Sequence, residues 1–222
     1  MVESFIITID GLASSGKSTI AKMLASKLNF YLLESGSLYR LVTYWFLNYF
    51  KNQENPLEEI EKLFKEVKID LTSKGTLIYW KNRFLKEELR SKEVEEWVSK
   101  ISSLKEVRNF LTSYMRELTW DKNLVAEGRD MGSVVFPWAR FKIFLTAKEE
   151  IRARRRHGEL TLKEKRSYEE ILKNLKERDE LDSTREVSPL VIPEGAYLID
   201  TSYLSPEEVL EKILRLIKNY EE

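Results

Sequence analysis

Short apolar runs alternate with stretches of helical spacing along most of this chain. Residues 5–10 (FIITID) form a β-branched apolar run ending at Gly11, the pattern of a strand buried on both faces of a parallel sheet. After the next loop, Ile20, Ala21, Leu24, Ala25 and Leu28 recur at helical spacing. Four further runs, 30–33, 124–126, 141–145 and 197–199, read as strands with helical stretches between them. The alternation predicts an α/β chain with a five-stranded parallel sheet joined by right-handed crossovers. One stretch departs from it. Residues 67–86 (VKIDLTSKGTLIYWKNRFLK) alternate with period two around the turn pairs Lys74-Gly75 and Lys81-Asn82, predicting a small antiparallel meander inserted into the α/β core.

Helix starts are signed by capping boxes, in which a hydroxyl and a glutamate three residues on satisfy free N–H groups. The pairs are Ser103/Glu106, Thr146/Glu149, Ser167/Glu170 and Ser205/Glu208, the last with Pro206 at the first helical position. The final helix then buries Val209, Leu210, Ile213, Leu214 and Ile217. Segment 38–50 is apolar but short, and Arg40 and Asn48 interrupt it, so it reads as a buried helix and not a membrane span.

Composition narrows the chemistry. Lysine plus arginine and aspartate plus glutamate number 37 each in 222 residues, which argues against general affinity for nucleic acid or acidic membranes. There is no cysteine, hence no disulfide or zinc-thiolate chemistry, and the single His157 excludes a site needing two imidazoles. No secretory signal stands at the start, and a cytoplasmic protein is expected.

Residues 11–18 read GLASSGKS and satisfy G-x-x-x-x-G-K-[ST] between a predicted strand and a predicted helix. Gly11 turns out of the strand, Gly16 lets the backbone approach phosphate, and the N–H groups of Ala13, Ser14, Ser15, Ser18 and Thr19 are placed to cradle the anion. Lys17 reaches the β- and γ-phosphates of ATP in such a loop, and the Ser18 hydroxyl ligates Mg²⁺. Three other segments place polar residues where apolar strands end: LLESGSLYR (32–40), VAEGRDMGSVVFP (125–137) and ERDELDSTREVSPL (177–190). In the last, Arg178, Asp182 and Arg185 continue the helical stripe begun by Ile171 and Leu175, although a salt-bridged helix end gives the same spacing. The run IRARRR (151–156) puts Arg152, Arg155 and Arg156 on one helix face, next to a polar, glycine-containing stretch that reads as a lid. A solvated basic helix or a weak nucleic-acid patch also fits that run.

Together these segments resemble bacterial cytidylate kinases of the nucleoside monophosphate kinase family, over nearly the whole chain and in the same order. The resemblance implies a three-layer P-loop NTPase-type fold in one kinase domain. Its core would be 1–66, 87–150 and 167–222, with an acceptor-side insertion at 67–86 and a helical lid at 151–166. It implies γ-phosphoryl transfer from ATP to CMP, and to dCMP, with Mg²⁺. No long apolar repeat demands a partner, so a monomer is expected, and the balanced charge argues against a nucleic-acid or membrane partner. By the same resemblance Arg40, Arg129 and Arg185 hold the acceptor phosphate; Ser99, Arg108 and Asp130 read cytosine; Arg178 and Asp182 contact the ribose; and Ser35 lies beside the acceptor. Lys17, Arg129, Arg152, Arg155 and Arg156 would supply the cations of the transfer step. This chain has Glu34 and Glu127 where the family usually has aspartate, and Leu12 where proline is common; either glutamate could hold a Mg²⁺-bound water. Related adenylate, guanylate and thymidylate kinases lack the wording of 125–147 and 177–201. One alternative is a P-loop kinase for another small acceptor such as UMP, dTMP or shikimate, which Ser99, Arg108, Asp130 and the cluster at 177–190 oppose. The other is a nucleotide-dependent switch or nucleic-acid-dependent ATPase, for which the arginine run is the best support.

Overall fold

The computed structural model describes residues 4–49, 56–160 and 167–221. Five parallel strands form the main sheet in the order β2-β6-β1-β7-β8: β1 (Ile6–Gly11), β2 (Tyr31–Glu34), β6 (Leu124–Glu127), β7 (Phe141–Thr146) and β8 (Tyr197–Asp200). Neighbouring residues along each strand leave the sheet on opposite sides. Ile7, Ile9, Leu32 and Val125 pack under α1 (Lys17–Leu28) and α8 (Pro206–Glu221) with Leu24, Val209 and Ile213. Ile6, Leu33, Leu124 and Ala126 face α2 (Ser35–Tyr49), α3 (Pro56–Glu66) and α5 (Lys105–Leu118). Each such aliphatic side chain, withdrawn from water, contributes about 2 kcal/mol, so a sheet covered on both faces dominates the core.

The meander forms as the alternation predicts: β3 (Val67–Thr72), β4 (Gly75–Trp80) and β5 (Arg83–Leu85) make a separate antiparallel sheet. It docks against β2 at Thr76, whose Oγ1 donates to the Leu32 carbonyl and accepts from the Glu34 N–H, while its own N–H donates to the Glu34 carboxylate. The α4 helix (Lys92–Ile101) follows on the same side.

Strands β2 and β6 run one residue further than the apolar pattern suggested. Glu34 and Glu127 are therefore paired across the ladder at its C-terminal edge. Two of the four expected capping boxes form, Ser167/Glu170 and Ser205/Glu208. At 103–106 the cap position falls to Leu104, because the Ser103 hydroxyl turns back to the Lys100 carbonyl. Thr146 closes β7 instead of capping α6 (Glu149–Leu160), and the Lys148 N–H before that helix goes to the Ser202 hydroxyl. Gly158 does not break α6. The lid expected over 151–166 is helical through residue 160, and its remainder, 161–166, lies outside the described residues. The α7 helix (Tyr168–Thr184) ends one residue before Arg185, which is extended. Among the described residues no helix is long and apolar enough to cross a membrane.

Gly11 has φ +144°, and a Cβ there would stand 2.0 Å from the Leu145 carbonyl oxygen. Gly11→Ala is therefore expected to cost on the order of 3 kcal/mol, through strain and displacement of β7. Urea denaturation of the ligand-free protein measures it, and a loss under about 1 kcal/mol would mean that the β1–β7 contact is slack.

Candidate active site

The C-terminal ends of β1, β2 and β6 open into one cleft of about 430 Å³ between the phosphate loop, the meander side and α7. Open α/β sheets bind ligands at this edge. Gly16, in the left-handed region at φ +96°, caps α1 and leaves the N–H groups at the helix start facing the cleft. Ser14 is also left-handed, at φ +56°. Ala13, Ser14, Gly16, Lys17, Ser18 and Thr19 line the cleft, whereas Gly11 and Ser15 hold the loop from behind.

Lys17 lies folded onto its own loop, its Nζ donating to the Leu12 carbonyl at 2.6 Å. Burial, and then the Arg129 guanidinium, pull its ammonium well below the ordinary lysine range. Ser18 Oγ donates to Glu127 Oε1 at 3.1 Å. Glu34 is held by Lys22 (3.2 Å) and by the Thr76 N–H (3.1 Å) of the meander. A hydroxyl and two neighbouring carboxylates thus share one rim of the cleft.

Opposite that rim, charges alternate in a ladder. Arg129 Nε donates to Asp182 Oδ2 at 2.8 Å, and Arg185 Nη1 donates to Asp182 Oδ1 at 3.3 Å. Arg185 Nη2 lies 4.0 Å from Asp130 Oδ1, and Arg108 Nη2 donates to Asp130 Oδ2 at 2.5 Å. Arg108 and Asp130 are each 1% exposed. The Arg108 guanidinium also donates to the Ser102 carbonyl and lies 5.1 Å from the centre of the Tyr39 ring. Burial would raise the Asp182 carboxyl, but Arg129, Arg178 and Arg185 override it and hold the group below the carboxylate range. Arg178 is pushed down to about 10, by burial first and by the Arg129 charge second. Three buried guanidinium nitrogens, Arg108 Nε, Arg178 Nε and Arg185 Nη2, and the Tyr39 hydroxyl have no hydrogen-bond partner among the described residues. Desolvated guanidinium groups left in this condition favour an anionic or acceptor-rich ligand.

The predicted residues divide into three groups. Ser35, Arg40, Arg108, Arg129, Asp130, Arg178, Asp182 and Arg185 do line the cleft, together with Glu34 and Glu127. Ser99 does not; one helical turn on, Ser102 lines the wall, its hydroxyl turned to the Ser99 carbonyl. The three α6 arginines expected to serve the transfer step separate. Arg156 reaches the cleft and bonds Glu95 of α4 at 2.7 Å, an oxygen that also lies 3.9 Å from Arg40. Arg152 is drawn beneath the phosphate loop, bonded to the Ala147 and Ala13 carbonyls and paired with Asp179. Arg155 turns to Thr201, whose hydroxyl bonds the Ser15 carbonyl. Sequence reasoning missed Asp179, which accepts the Ala13 N–H at 3.2 Å. A carboxylate on the α7 stripe was its only signal.

A parallel sheet with a glycine-capped phosphate loop and an arginine-lined acceptor wall defines a P-loop kinase for small anionic acceptors. The chain matches the family model for cytidylate kinase over residues 7–219. It is 47% identical to the cytidylate kinase of Carboxydothermus hydrogenoformans, with 95% of this chain and 96% of that one covered. It is 43% identical to the cytidylate kinase of Fusobacterium nucleatum, with 98% and 99% covered. Among solved structures, an uncharacterized protein from Eubacterium ventriosum superposes with TM-score 0.52 at 13% identity, over 97% of this chain and 99% of that one, which bears on the fold alone. The chain belongs to the cytidylate kinase family.

Removing Asp130 leaves Arg108 buried with no carboxylate partner among the described residues, and leaves Arg185 with Asp182 alone. Asp130→Asn is expected to cost about 3–5 kcal/mol in chemical denaturation of the ligand-free protein. A change under about 1 kcal/mol would mean that water reaches the pair and screens it.

Proposed function

We propose that this chain catalyses reversible transfer of the ATP γ-phosphoryl group to CMP, and to dCMP, giving CDP or dCDP and ADP. The observation that carries this reading is the buried Arg108–Asp130 pair at the acceptor end of the cleft. Asp130 spends one oxygen on Arg108 and keeps Oδ1 free of any closer partner than Arg185 at 4.0 Å. That oxygen can accept from the cytosine amino group, the pairing that acidic side chains make with cytosine N4. Uracil offers a carbonyl at the same place and would meet the carboxylate with repulsion. The unpartnered Arg108 Nε is a donor suited to the ring acceptors, and Ser102, which lines the wall where Ser99 does not, is assigned the supporting hydroxyl.

The acceptor needs little activation, because a phosphate monoester is already largely dianionic near pH 7. The difficulty is to hold two polyanions in line, and cations with fixed positions meet it. Arg40, Arg129 and Arg185 are assigned to the acceptor phosphate, with Ser35 beside it, and Arg178 and Asp182 to the ribose. Lys17 is assigned to the donor phosphates. Its lowered proton affinity means that an arriving phosphate restores the charge that burial disfavours. Arg156 is the α6 arginine in reach of the transferring group, while Arg152 and Arg155 brace the loop.

The Ser18 hydroxyl, with Glu34 and Glu127 acting through water, fits a Mg²⁺ ion that arrives with the nucleotide and keeps most of its water shell. Bound there, the ion neutralises charge on the donor phosphate oxygens. The reading divides the chain into the core, the acceptor-side insertion 67–86 and the lid 151–166, working as a cytoplasmic monomer on free nucleotides.

ADP formation from ATP and Mg²⁺, with CMP, dCMP, UMP, AMP, GMP and dTMP supplied separately, tests the proposal. Turnover should be strong with CMP and dCMP and lower by about tenfold or more with UMP. Equal rates with UMP would remove Asp130 as the discriminator, and turnover independent of any acceptor would sink the kinase reading.

A further inference from the structure

One buried carboxylate has no part in the machinery just described. Asp10, the penultimate residue of β1, is fully buried and forms no ion pair with any described residue. Its two oxygens are engaged separately: Oδ1 accepts the Met131 N–H at 2.8 Å and Oδ2 accepts the Gly132 N–H at 2.7 Å. These N–H groups open the π-helical turn Met131–Val135, directly after Arg129 and Asp130. An isolated buried carboxylate is costly, and burial raises Asp10 to about 7 against the opposing pull of the two N–H groups. An apolar side chain of similar size would avoid that cost but would leave the Met131 and Gly132 N–H groups buried without these acceptors.

The backbone at the turn is built to come close. A Cβ on Gly132 would stand 2.6 Å from Thr8 Oγ1 and 3.2 Å from Asp10 Oδ2, so only glycine lets the turn lie flush on β1. Asp10 also immediately precedes Gly11, whose own contact with Leu145 fixes where the phosphate loop leaves the sheet. A single side chain therefore ties the start of the phosphate loop to the segment carrying Arg129 and Asp130. We infer that Asp10 is a positioning residue, one that sets Arg129 and Asp130 at a fixed distance from the phosphate loop and so governs acceptor affinity and base choice without touching substrate. The inference rests on the CMP kinase reading for its substrates. An asparagine in the same place offers one acceptor and one donor, so one of the two N–H groups must face an NH₂.

Wild-type protein, Asp10→Asn and Gly132→Ala are compared in steady-state assays with CMP and UMP, in ATP binding by calorimetry, and in amide hydrogen exchange at Met131 and Gly132. In Asp10→Asn the KM for CMP should rise about tenfold or more, with a similar loss of CMP-over-UMP preference, faster exchange at one of the two amides, and an ATP Kd within about twofold. Gly132→Ala should reproduce that signature from a residue with no titratable group, and it carries the test if Asp10→Asn does not fold. Unchanged CMP affinity and base preference in a folded variant, or equal loss toward CMP and ATP, would overturn the inference and leave the CMP reading intact. A wild-type enzyme that ignores CMP would sink that reading instead. The exchange data would then still decide whether Asp10 holds the turn, and unaltered protection would overturn that as well.

Discussion

Nine basic side chains line one cleft, and five acidic ones stand among them. Guanidinium groups this close repel unless a negative charge separates them, and burial strengthens the repulsion by excluding the water that would screen it. The ladder Arg129–Asp182–Arg185–Asp130–Arg108 resolves this by alternation. Each carboxylate is shared between two arginines, so no arginine in the ladder is neutralised completely. The residual positive field and the unpartnered donors are what remain for an anion. Everything around the ladder serves to hold it. The Leu190 N–H fixes the Asp182 carbonyl, the Ser188 carbonyl takes Arg185 Nε, and the turn at 131–135 is pinned to β1.

Much of this was readable before any coordinates. The inner strands announce themselves because a parallel strand covered on both faces must be largely apolar, as Ile6, Ile7 and Ile9 are; the edge strand β8 is mostly exposed and was read from a short apolar run alone. The meander was legible for the opposite reason: half-exposed strands alternate, and the pairs Lys74-Gly75 and Lys81-Asn82 mark its turns. The phosphate loop is contiguous, so its spacing carries its geometry. What escaped were contacts between distant segments. Ser99 and Ser102 sit on successive turns of a short helical stretch, and which of them faces the cleft depends on how α4 rolls against α2. Asp179 and Asp10 act on backbone N–H groups 166 and more than 120 residues away, and no periodicity encodes that. The capping pairs failed where a hydroxyl had a nearer carbonyl, as at Ser103.

The α6 arginines show how a shared face divides once neighbours are present. At spacings of three and four, Arg152, Arg155 and Arg156 would crowd one another on an isolated helix. In the fold each is drawn to a different partner: Asp179 beneath the loop, Thr201 behind it and Glu95 across the cleft. Arg152 and Asp179 hold both the N–H and the carbonyl of Ala13 from the side away from the cleft. The loop is thus braced through its backbone by a pair outside the cleft lining. Of the three, only Arg156 lines the cleft, and its partner Glu95 sits on α4. The contact links the two halves of the cleft through one ion pair.

That division bears on where stability has been given up. The two hydrophobic layers on the main sheet are well filled, and the phosphate loop is pinned at Gly11, Ala13 and Ser15. The cleft between them is in tension by comparison. Lys17 is buried beside Arg129, Arg178 has lost proton affinity for the same reason, and three guanidinium nitrogens lack acceptors among the described residues. An anion bound in the cleft would relieve each of these costs. A kinase gains from this arrangement because the relief is greatest where charge is greatest, on the phosphoryl group between donor and acceptor. Pairing every arginine with its own carboxylate would make the fold more stable and leave that charge with nothing to meet it.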